Sequence, residues 1–171
     1  MTPRLRSLAT VTSLLLLGSA GLLLPVSAQL GDAKEGDARV RRLLEELEMK
    51  WTIDKDGDFR LHNEVTEDRS QLIWVLSNTS DLRNLEVREV WSIGFRSAEP
   101  FSAEIARRLL TENTQTKVGA WQMRKMGEEY VAVFSAQIAA NTDAETLQTI
   151  IDAVATTADE MELDVVGTDD W

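Results

Sequence analysis

The sequence predicts an α+β fold, a twisted antiparallel sheet packed by helices in the order α-β-β-β-β-α-β-β-α. Three observations carry that reading. Two pairs of apolar-alternating segments close over tight-turn signals, at Asp56-Gly57 and Gly127-Glu128. Other segments place apolar residues at helical spacing. Helices and strands do not alternate one for one, as a doubly wound parallel sheet would require.

The first helix is expected from about Asp37 to Met49, with Asp37 as N-cap. Val40, Leu43, Leu44 and Leu47 fall at i, i+3, i+4 and i+7 and share one face. Trp51 to Ile53 and Asp58 to Leu61 flank the Asp-Gly turn, where glycine takes a positive φ at little cost. Gln71 to Leu76 reads as a more buried strand and Ser77 to Asn84 as a polar turn. From Leu85 to Phe95 the pattern alternates. Leu85, Val87, Trp91, Ile93 and Phe95 share one face, with Glu89 the exception; Glu86, Arg88, Val90 and Ser92 lie opposite.

Ser102 is the expected cap of the second helix, whose apolar side is Ile105, Leu109 and Leu110. Val118 to Met126 and Tyr130 to Ile138 form the second hairpin, with Tyr130, Ala132, Phe134, Ala136 and Ile138 on one face. Thr142-Asp-Ala-Glu145 has the capping-box pattern. The last helix follows, with Leu147, Ile150, Ile151, Val154, Ala158 and Met161 at helical spacing. Residues 164–171 read as an acidic tail, frayed over Gly167 to Trp171.

Ahead of this domain, residues 1–28 have the three parts of a cleavable signal peptide. These are a basic start at Arg4 and Arg6, an apolar heart at Leu14 to Leu24, and small side chains ending at Ala28. The expected mature protein is therefore periplasmic or secreted, with no membrane insertion after cleavage. Residues 29–36 are expected to form a flexible polar spacer and residues 37–163 a single α+β domain.

Cleavage would leave 16 basic against 29 acidic residues, a net charge of −13. Phosphate backbones and anionic lipid repel such a chain, so nucleic acid is not an expected partner; a basic or neutral one fits better. With no cysteine there is no disulfide, thiolate metal site or cysteine nucleophile.

The chemistry-bearing residues make no constellation above background, and no cofactor is expected. Asp54-Lys-Asp56-Gly57-Asp58 superficially resembles a calcium loop, but glycine stands fourth and Val65 takes the place of the twelfth-position glutamate. It reads as a charged turn, with a weak calcium site of another kind as the alternative. His62 is the only histidine, and no Gly-x-Ser-x-Gly elbow accompanies it. The adjacent acids Glu128-Glu129, Asp159-Glu160 and Asp169-Asp170 read as solvated faces. Phosphate-binding glycine loops are absent. The tryptophans read first as core. The alternative is an exposed patch for a partner, for which Trp121, Met123 and Trp74 are the candidates.

Trp51-Thr-Ile-Asp-Lys-Asp-Gly-Asp-Phe59 resembles the D-x-D-G-D-F hairpin of the YbjN-domain family of bacteria, and Ala158-Asp-Glu-Met-Glu162 resembles that family's A-D-E-L-E stretch. The resemblance spans about Asp37 to Leu163 and includes the order of elements. It implies a type III secretion chaperone-like fold. It also implies a role akin to sensory-transduction regulators, with no catalytic residues to carry over. Members of that family are mostly cytoplasmic, so the export signal argues against transferring a cytoplasmic role. The function expected is a non-enzymatic, exported module that binds a protein or peptide, a second copy of itself included. The alternative is a carboxylate-based metal-binding or hydrolase domain using Asp54, Asp56, Asp58 and His62.

Overall fold

The structure, a computed structural model, describes residues 34–171. The expected signal peptide lies outside the described residues. The elements run α1 (Ala38–Glu46), β1 (Thr52–Ile53), β2 (Phe59–Thr66), β3 (Arg69–Leu82), β4 (Leu85–Ser97), α2 (Ala103–Glu112), β5 (Ala120–Met126), β6 (Glu129–Ala139) and α3 (Ala144–Val165). This is the expected order. The strands form one antiparallel sheet, β1-β2-β3-β4-β6-β5, which leaves β1 and β5 at its edges.

One face of the sheet carries the main core. Phe59, Leu61, Ile73, Val75, Val90, Ala132, Phe134 and Ala136 alternate onto it from four strands. The stripe of α3 closes over them: Leu147, Ile150, Ile151, Val154, Ala158 and Met161 are all buried. Val40, Leu43 and Leu44 of α1 and Leu109 of α2 complete the layer. Burial of a single such side chain contributes about 1.5–3 kcal/mol, so this layer dominates the stability of a chain with no disulfide.

Capping follows the sequence at two helices and departs at the third. Asp37 accepts the amide of Arg39 at 2.7 Å, and Ser102 that of Ile105 at 3.2 Å. At α3 the cap is Asp143, which accepts from Thr146 at 2.7 Å, rather than Thr142.

Four other expectations are corrected. Residues 34–36 of the spacer are described, and Gly36 is buried; a Cβ there would lie 2.5 Å from Phe59. Ser77 to Leu82 is not a turn but the continuation of β3, paired with β4 down to a tight reversal at Arg83 (φ 57°) and Asn84. Both faces of that ribbon meet solvent beyond the core, so its composition is polar despite its strand geometry. Phe95 does not share the face of Trp91 and Ile93. A register shift between Ile93 and Phe95 turns Phe95 into the main core, beside Phe101, while Ile93 faces the other way. Gly94 sits in that bulge because Trp121 fills the space a Cβ would need, 2.6 Å away.

Last, the tail is not frayed. Arg69 donates to the carbonyl of Thr168 at 3.2 Å, the amide of Asp170 donates to Glu162, and the Arg96 guanidinium lies 4.4 Å from the Trp171 ring centroid.

Candidate interaction surfaces

Among the described residues, the core-forming sides of all three helices pack onto the same side of the sheet. The other side holds a small cluster of Ile93, Val131 and Val133, with Trp74, Trp91, Met126 and Trp171 half-buried around it. Register places Arg60, Trp74 and Trp91 opposite one another across β2, β3 and β4. Trp74 and Trp91 stack face to face, 4.2 Å between centroids and 2° between planes. Arg60 lies 5.5 Å from the Trp74 ring and Arg124 5.7 Å from the Trp91 ring. The result is a row running Arg60, Trp74, Trp91, Arg124, which no helix among the described residues covers. Such cation–π contacts contribute about 0.5–1 kcal/mol each at exposed sites.

The row has one anchored end and one open end. Arg124 is held by Glu89 and by Gln122, and Glu89 also accepts from Ser135. Among the described residues Arg60 has no such partner, and its Nε is buried without a hydrogen bond. Beside it, Lys50, Trp51, His62, Glu64, Ser70 and Leu72 help line a cleft of about 510 Å³. The local charge of this end is thus mixed, although the chain as a whole is strongly acidic.

Trp121 and Met123 belong to a different surface. They line an apolar groove of about 200 Å³ with Phe101, Ala106, Leu109 and Leu110, between α2 and the edge strand β5. Trp121 is 5% exposed and forms its floor, whereas Met123 (54%) and Leu110 (69%) stand at the rim. The main-chain groups of Trp121 face outward at the sheet edge. There the Asn113 side chain takes the place of a neighbouring strand, accepting from the Trp121 amide at 2.6 Å and donating to its carbonyl at 3.4 Å. The structure therefore brings Trp121 and Met123 together and places Trp74 on the opposite side of the sheet. The three do not share one patch.

The acidic hairpin and the histidine stay apart in role. Asp54 Oδ1 accepts the amides of Asp56 and Asp58, which fixes the turn, and Asp58 Oδ1 accepts the amide of Ser77 at 2.7 Å. Burial pushes the Asp58 carboxyl above its ordinary range, and Asp54 and Asp56 add to the shift. His62 is exposed on the helix-free side, paired across the ladder with Leu72. Among the described residues, the acids that converge are instead Asp159, Glu162 and Asp169. Asp159 and Glu162 are 4% and 0% exposed, so Asp159 is no part of a solvated face. Glu162 was visible in the sequence: it follows Ala158 and Asp159 on the buried stripe of α3, where an acid at i+3 or i+4 breaks the apolar pattern.

No family model matches the chain, and no curated protein matches it. Among solved structures, it is similar to the crystal structure of YbjN from E. coli. The TM-score is 0.45 at 11% identity, over 71% of this chain and 82% of that one.

Proposed function

We propose that this chain is a non-enzymatic, exported protein-interaction module of the YbjN type that docks a protein or peptide on the helix-free side of its sheet. One observation carries the reading: the Arg60–Trp74–Trp91–Arg124 row lies on the side of the sheet that no helix among the described residues covers. Tryptophan and arginine are enriched among the few residues that dominate binding energy where proteins meet. A guanidinium at the end of a tryptophan row recognises an acceptor, so the bound segment carries a carboxylate or main-chain carbonyl that reaches Arg60. Bases of a nucleic acid are the poorer fit. The tryptophan faces are taken by each other and by arginines, which leaves no ring free for a base to stack on.

Capture from an envelope extract tests this. Wild type is expected to retain a partner that Arg60→Ala and Trp74→Ala, both still folded by circular dichroism, lose. Equal recovery by all three, no protein above controls, or an oligonucleotide bound in its place refutes it.

Export is supported by the basic start, the apolar run and Ala28. Terminal sequencing of the purified protein should read from Gln29; a chain still starting near Met1 refutes cleavage. The α2–β5 groove favours a second copy of the chain as an additional partner, because Leu110 and Met123 stand exposed at its rim. Sedimentation should then show a dimer that Leu110→Asp disrupts, and a wild type that is monomeric at all concentrations refutes it.

A further inference from the structure

We propose that Asp159, Glu162 and Asp169 bind one hard divalent cation of the calcium type, which fastens the C-terminal segment to α3. Asp159 and Glu162 project from the last turns of α3, and Asp169 returns to them from the segment that follows. One carboxylate oxygen from each lies within 4.8 Å of the others. Calcium–oxygen distances of 2.3–2.6 Å put opposite ligands about 4.8 Å apart, so one ion reaches all three. Magnesium demands a near-ideal octahedron and dehydrates reluctantly, which makes it the weaker-bound ion at three carboxylates brought together from a helix end and a tail. The donors are oxygens alone, which selects a hard cation over zinc or copper.

The second, independent sign is Glu162. Its side chain is fully buried, and Oε2 accepts no hydrogen bond. Its other oxygen, Oε1, is fixed by the amide of Asp170. A buried carboxylate with an orphaned oxygen is costly unless a counter-charge meets it. The nearest cation does not. Arg69 gives its Nε to Asp159 Oδ1 at 2.7 Å and its terminal nitrogens to the carbonyl of Thr168, and stays 3.9 Å from Glu162 Oε2. One arginine against three carboxylates leaves two negative charges, the charge of one divalent ion. Among the described residues, no lysine or histidine is in the contacts that reach these groups.

The site does not rest on the docking face, and neither does its test. The full-length protein, stripped with chelator, is titrated calorimetrically with calcium chloride and, separately, with magnesium chloride. One equivalent of calcium is expected to bind, with magnesium weaker by about tenfold or more. Asp169 is exposed, so Asp169→Asn leaves the fold alone and should weaken calcium by on the order of tenfold. Glu162→Gln should abolish binding. Asp54→Asn should leave it unchanged. Three results overturn the proposal: no saturable calcium heat at millimolar concentration, wild-type affinity in Asp169→Asn, or a loss of binding in Asp54→Asn that places the ion on the hairpin.

Discussion

Removing the Asp37 carboxylate should destabilise the domain far beyond the loss of a helix cap. Asp37 does two things at once. Oδ1 accepts the amide of Arg39 as the N-cap of α1, and Oδ2 meets Arg88, whose side chain is 2% exposed, at 2.5 Å. Loss of a cap costs about 1 kcal/mol. Stranding a buried charge costs about 3–5 kcal/mol. The lower end applies here, because Arg88 keeps the carbonyls of Leu76 and Ser77. Asp37→Ala should therefore cost about 4 kcal/mol, and Asp37→Asn, which keeps an acceptor for Arg39, about 3 kcal/mol. Replacing Arg88 by Met in the Asn background removes both charges, and the double-mutant cycle should show a coupling of about 2 kcal/mol.

Urea unfolding followed by tryptophan fluorescence at pH 7 reads all of these. The reasoning fails if Asp37→Asn unfolds at the wild-type midpoint, since the ion pair would then contribute nothing. The pH dependence has a definite sign. Burial pushes the Asp37 carboxyl up, but hydrogen bonds from Arg39 and Arg88 outweigh it and hold the group well below the usual carboxylate range. Its stabilisation is therefore complete above the unfolded value of about 3.9 and is lost as pH falls toward the lower folded value. The gap between wild type and Asp37→Asn should close only below about pH 4.

Two further substitutions test the packing and the hairpin. Gly94→Ala sets a Cβ 2.6 Å from Trp121 and 3.1 Å from Met161. It should cost about 1–3 kcal/mol by overpacking, whereas Gly127→Ala, with open space around it and φ 62°, should cost only about 1 kcal/mol. Equal thermal midpoints for the two variants would contradict the close approach. Asp58→Asn should raise stability at pH 7, because burial opposes the charge there and an amide oxygen still accepts from Ser77. Since the folded pKa is raised, wild type recovers as pH falls through that value toward the unfolded one, and the advantage of Asn should vanish near pH 4. Urea midpoints at both pH values decide it, and a variant weaker than wild type at pH 7 contradicts the account.

The elements were legible because each had its own periodicity. Leu147, Ile150, Ile151 and Val154 announce a helix, and Ala132, Phe134 and Ala136 a strand, without reference to the rest of the chain. Alternation does not say which face of a strand a helix will cover. Trp91 and Ile93 therefore read like core, yet lie on the uncovered side. Nor does alternation survive a bulge: past Gly94, Phe95 changes sides although its spacing from Trp91 and Ile93 is even. The interaction surfaces were legible only in part. Trp74, Trp121 and Met123 stand out by type, but their division between two sides of the sheet follows from strand pairing. Arg60 and Arg124 carry no local signal at all, because a charged residue in an alternating strand usually means only solvent. Asn113 as an edge cap and Asp169 as a neighbour of Glu162 depend on chain reversals that no local pattern encodes.

The Asp37 junction also bears on the order in which the domain assembles. Its partners Ser77 and Arg88 lie 40 and 51 positions along the chain. A helix of nine residues is too short to persist alone. The first turn of α1 is capped locally by Asp37 but is anchored to the sheet only once β3 and β4 have paired, which argues for a helix that docks late onto a hairpin-based nucleus. It is also the element that can detach first, leaving the sheet intact while the seam between Leu43, Leu44 and the α3 stripe opens to water.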